Sequence, residues 1–162
     1  MRTIRSATEA EVLDCFWTGE LSARSRWSEA EVESRKDAWR EREGLFLGFP
    51  DDVEWERVVL RRHEVLSILY INWDWWLEVT NGTRLPTVAA AVQGRDEGDR
   101  AIAATAATSP ELIVVTDPGR SKLVLLEGHV RLTAYAAFPE LLPDELEMYL
   151  GVSPRIADWC QW

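Results

Sequence analysis

Residues 123–138, LVLLEGHVRLTAYAAF, pass from an apolar run to a helix with one glycine between them. Leu123 to Leu126 has the length and composition of a buried strand, and the segment from Val130 reads as a helix that ends before Pro139. A strand entering a helix this abruptly leaves backbone amides facing outward at the positive end of the helix dipole, where an anion is favoured. Gly128 has no side chain to block a close approach, and Arg131, in the first turn, carries the planar fork that fits phosphate oxygens. His129 adds a hydrogen bond or moves a proton near neutral pH. Glu127 is the one acid beside this site, and three roles fit it: binding a metal, accepting a substrate proton, or pairing with Arg84 or Arg131. A structural Glu–Arg pair at a tight turn, with the histidine satisfying nearby carbonyls, accounts for the same residues, and the pattern alone leaves both readings open.

Working outward, ELIVV (111–115), TDPGRS (116–121) and KLVLL (122–126) read as strand, turn and strand, with Asp117-Pro118-Gly119 marking a hairpin. ELEMYLGV (145–152) supplies a last strand before a short tryptophan-rich end. Upstream, NGTRLPTVAAAVQG (81–94) opens on an Asn-Gly turn, has Pro86 in a first helical turn and stops at Gly94, which puts Thr83 and Arg84 at a helix N-terminus. A cation is disfavoured there unless an anion compensates, so both residues are candidate phosphate ligands. DRAIAATAAT (99–108) reads as a further helix.

Toward the N-terminus, Thr8 to Glu11 and Ser28 to Glu31 both fit the capping box that begins a helix. GLFLGFPDDVEW (44–55) reads as a connector pinned by Phe46 and Phe49, VEWERVVL (53–60) as a strand, HEVLSIL (63–69) as a short helix and YINWDWWLEV (70–79) as an aromatic strand or extended stretch. The expected organisation is one domain over 1–162, with an N-terminal helical part at 1–44 and a core at 45–162. The expected class is α/β (α+β): a small mixed sheet with flanking helices, preceded by the N-terminal helices.

The chain of 162 residues carries a net charge of −10, which repels a polyanion, so general nucleic-acid binding is not expected. A small anion held by one or two arginines is compatible with that charge, because short charge-assisted hydrogen bonds outweigh a screened global field. Two cysteines at opposite ends and two histidines make neither a disulfide framework nor a zinc site. No apolar run has the length of a membrane span or a signal segment, so a soluble, cytoplasmic protein is expected. Nine tryptophans fill a core of short elements or, in part, stack on a flat ligand.

The run Glu127, Gly128, His129, Val130, Arg131 resembles the box of the ParB/sulfiredoxin fold, where Asp/Glu-Gly-His-x-Arg follows a strand and opens a helix. The similarity is close from Leu112 to Phe138. More loosely, LFLGFPDDVEWERVVL, YINWDWWLEVTNGTR and LEGHVRLTAY, in this order, resemble a set of small bacterial proteins that carry the box. The resemblance implies a nucleotide, ATP or CTP with Mg2+ as an accompanying ion, whose phosphates lie over the helix start at Gly128 to Arg131. Members of the wider fold hydrolyse CTP, phosphorylate free serine, or use ATP to repair an oxidised cysteine. Where sulfiredoxin has its catalytic cysteine this chain has Glu127, and ParB continues into a DNA-binding domain where this chain reaches Trp162; neither sulfinic-acid repair nor chromosome segregation is expected.

Two functions follow as expectations. One is a nucleotide-dependent phosphoryl-transfer or NTP-hydrolysing enzyme, possessing a kinase-like or NTPase activity in a biosynthetic pathway, with Arg131 and Arg84 on phosphate, His129 orienting or protonating, and Glu127 as base or magnesium ligand. The other is a non-catalytic module that binds a nucleotide or other phosphorylated small molecule and meets a protein partner, or a second copy of itself, through a tryptophan-rich surface.

Overall fold

The computed structural model describes residues 1–23, 44–106 and 112–162. The Ser28 to Glu31 box and the helix read from it lie outside the described residues. Five strands, β1 (Arg2–Ala7), β2 (Glu54–Arg61), β3 (Leu112–Thr116), β4 (Val124–Glu127) and β5 (Glu145–Val152), form one mixed sheet in the order β1-β2-β5-β3-β4. The helices are α1 (Glu9–Ala23), α2 (Arg62–Val65), α3 (Asp74–Val79), α4 (Pro86–Gln93), α5 (Glu97–Ala104) and α6 (His129–Ala137). The expected α/β class, a small mixed sheet with flanking helices, is what the chain adopts. No described helix is long and apolar enough to cross a membrane.

The sheet turns on β5. It runs antiparallel to β2 and parallel to β3, pairing Leu112 with Met148 through to Thr116 with Val152. Every residue of β3 is buried, as expected for a strand covered on both faces. On one face, Val58, Leu60, Leu112, Val114, Leu125, Met148 and Leu150 pack beneath α4, α5 and α6. On the other, Trp55, Ile113, Val115, Leu126 and Tyr149 meet Val12 and Phe16 of α1 and the aromatic residues of the connector and C-terminal end. That end is locked in place: Trp159 is buried and its indole donates to the Leu45 carbonyl, while Cys160 donates its amide to Leu47 O at 3.0 Å.

Three segments differ from their sequence reading. Arg2–Ala7 is a strand that carries no apolar alternation, because it is the outer edge of the sheet and exposed on both faces; a bulge at Ile4 interrupts its register with β2. The HEVLSIL helix closes after one turn, at Val65. YINWDWWLEV is not one extended stretch: Leu69 makes a single parallel bridge to Val124, and Asp74–Val79 is helical. The helix turns Trp76 inward onto Tyr70 and leaves Trp73 and Trp75 exposed, a division that strand alternation does not produce.

Candidate functional site

The hairpin β3–β4 delivers the box. β4 is the last strand of the sheet, and Glu127 pairs with Ile113 at its end. Gly128 then takes the left-handed conformation, φ 105° and ψ 25°, and serves as N-cap of α6. A Cβ here would lie 2.4 Å from Leu112 Cδ2 and 3.2 Å from Arg131 Nη2, so glycine is required by both the dihedral and the space. The same contact shows that Arg131 folds back over the turn it follows.

Arg131 and Glu127 are both largely buried, and Arg131 Nη2 lies 3.8 Å from Glu127 Oε1, beyond hydrogen-bond range. Arg131 Nε and Nη2 form the edge that normally grips a carboxylate or phosphate in a fork. Both atoms are buried, and neither makes a hydrogen bond to a described residue. The electrostatics of the two neighbouring helix starts differ. In α5, Asp96 caps the helix by accepting from the Asp99 amide at 2.8 Å, and Glu97 and Asp99 add negative charge to the first turn. In α6, Gly128 offers no side-chain acceptor, the first turn holds no acid, and a guanidinium lies over it.

His129 belongs to a stack of rings absent from the box pattern. Trp76 lies parallel to Tyr70 at 3.9 Å between centroids and to His129 at 5.3 Å, while Tyr70 and His129 lie 5.8 Å apart. The Tyr70 hydroxyl is 2.6 Å from Thr133 Oγ1, which donates in turn to the His129 carbonyl at 2.9 Å. Burial pushes the Tyr70 phenol up to about 12. Aromatic crowding in 70–76 was the available signal for these residues, but only the α3 helix shows which rings turn inward.

Thr83 and Arg84 sit on another turn, ahead of Pro86, where Thr83 Oγ1 and Arg84 Nε and Nη2 donate to the chain itself. Thr83 Oγ1 donates to Thr80 O at 2.7 Å; Arg84 donates from Nε to Tyr70 O at 2.6 Å and from Nη2 to Gln161 O at 2.8 Å. The structure thus brings Glu127, Gly128, His129 and Arg131 together and places Thr83 and Arg84 in a separate cluster. A surface cleft of about 490 Å3 is lined by Arg61, Arg62, His63, Leu66, Asp144 and Glu145, none of them from the box. Comparison with protein-family models, curated proteins and solved structures finds no match for this chain.

Proposed function

We propose that the start of α6 binds the phosphate oxygens of a small phosphorylated ligand, and that the protein is a nucleotide-dependent enzyme of phosphoryl transfer or NTP hydrolysis. The observation that carries this reading is the buried fork edge of Arg131, lying on a glycine-capped helix start and donating no hydrogen bond to the described residues. A buried guanidinium edge left in this state is costly, and a phosphate oxygen accepting from it offsets that cost. The ParB/sulfiredoxin resemblance supports a nucleotide, ATP or CTP, as the donor.

Each box residue then has a task. Gly128 makes the left-handed turn that lets Arg131 fold over the helix start, Arg131 and that start neutralise the phosphate's charge, and His129, held flat against Trp76, orients or protonates an oxygen. Glu127 accepts the proton of the attacking hydroxyl or water. Among the described residues no three metal-ligating side chains converge. In its alternative role Glu127 holds magnesium, which one carboxylate commonly does together with substrate phosphates. Incubation of the purified protein with ATP or CTP, magnesium and a panel of hydroxyl acceptors tests the reading. Turnover that is lost in Glu127→Gln and nucleotide binding that is lost in Arg131→Ala are expected; wild-type protein that binds neither nucleotide overturns it.

A second reading is favoured by one observation: Trp73 and Trp75 are 48% and 51% exposed, beside the ring that stacks on His129. In that reading the same site senses a nucleotide and the exposed indoles meet a protein partner. Nucleotide-dependent quenching of tryptophan fluorescence without product formation selects it over the enzyme.

A further inference from the structure

Arg84 and Lys122 are anomalous in so acidic a chain. Eight described arginines lie within 4.0 Å of a carboxylate. Arg84 and Lys122 have no such partner among the described residues, yet both are only partly exposed and both converge on the dipeptide Gln161–Trp162. Arg84 reaches it through Nη2 to Gln161 O at 2.8 Å, and Lys122 through its ammonium, 4.2 Å from the centre of the Trp162 ring.

The Arg84 guanidinium is fixed in place. Its backbone holds φ 61°, its amide donates to Thr80 Oγ1 at 2.9 Å, its carbonyl accepts from Tyr70 N at 2.9 Å, and Nε binds Tyr70 O. Carbonyl oxygens satisfy donors without cancelling charge, so a positive charge remains beside a second one. Burial, and then Arg84, lower the proton affinity of Lys122, with Asp117 acting in the opposite sense.

We propose that Arg84, Lys122 and Trp162 form a second binding site, separate from the α6 start, that takes a small oxyanion of the phosphate or carboxylate type. The two sites lie at opposite ends of β4: Lys122 lies two residues before its first and Gly128 follows its last, a separation of roughly 20 Å along an extended chain. An oxyanion here accepts from the fixed guanidinium and the ammonium together, and Trp162 supplies a flat apolar surface beneath the ammonium. The assignment is independent of the reading of Arg131.

NMR titration of the full chain with inorganic phosphate, and separately with acetate, tests it. The Trp162 indole resonance and the Lys122 ammonium are expected to respond to one or both anions. Lys122→Met, which keeps the stem on the indole and removes the charge, is expected to weaken the Trp162 response about tenfold, and Lys122→Arg to keep it. Arg131→Gln leaves this response unchanged while removing any response at the α6 start, so failure of one site is read separately from failure of the other. A Trp162 resonance unmoved by both anions, or moved equally in Lys122→Met, overturns the inference.

Discussion

Gly128 joins two demands that are separable by substitution. Its φ of 105° lies where an L side chain costs on the order of 1 kcal/mol, and the direction its Cβ would take is already filled by Leu112 and Arg131. Alanine suffers both penalties. Asparagine tolerates the left-handed backbone better but meets the same atoms. Gly128→Ala is therefore expected to lower stability by more than about 1 kcal/mol, and Gly128→Asn to remain well below wild type, measured by urea unfolding. Wild-type stability in Gly128→Asn would show that only the dihedral matters and that the packing of Arg131 over the turn is loose. At this scale the sequence is informative because glycine between a strand and a helix has few alternative explanations, and the five-residue box reads as one local unit. Arg84 shows the opposite: its sequence position, ahead of a helix, is as expected, but its partners are carbonyls 14 and 77 residues away, which local pattern does not reveal.

Elements were legible in proportion to their end signals. The start of α1 is announced by Thr8 and Glu11, and the box forms as read: Glu11 Oε2 accepts from the Thr8 amide at 2.8 Å, and Thr8 Oγ1 accepts from the Glu11 amide at 3.3 Å. α4 is announced by Pro86 and Gly94, and β5 by alternating apolar residues. α3 has no such mark: its N-cap is Trp73, which makes no side-chain capping bond, and six residues are too few for a helical period to stand out against bulky aromatics. β1 is silent because an edge strand exposed on both faces needs no apolar alternation. Where a cap exists its contribution is measurable. Thr8→Ala is expected to cost about 1 kcal/mol in chemical denaturation. The Glu11 carboxyl is held down to about 2, chiefly by the hydrogen bond from Arg5, then by the Thr8 amide. Its contribution is thus present above the ordinary carboxylate range and fades as pH falls toward 2; because the Arg5 bond and the Thr8 amide both survive in Thr8→Ala, the two proteins should lose it together and run nearly parallel in acid.

At the scale of the whole molecule, Tyr70 is where the separate pieces meet. Its backbone pairs with Arg84, its ring lies against Trp76 of α3 and faces His129, and its hydroxyl meets Thr133 of α6 within the core beneath the helices. Ionising that phenol in the folded state means placing a negative charge in this core, and burial keeps the proton on until about pH 12. In the unfolded chain the phenol loses its proton near pH 10. Across that window the unfolded state binds fewer protons than the folded one, so stability falls as pH rises. The contribution is intact below pH 10 and is lost by about 12, a change on the order of 2 kcal/mol. Tyr70→Phe removes the titrating group and the bond to Thr133 together, while Thr133 keeps its own bond to the His129 carbonyl. The variant should be about 1 kcal/mol less stable than wild type at pH 8 and lose less on going to pH 11, followed by thermal unfolding at each pH. Parallel alkaline profiles for the two proteins would place the sensitivity at other groups, such as Tyr135, whose phenol burial also raises.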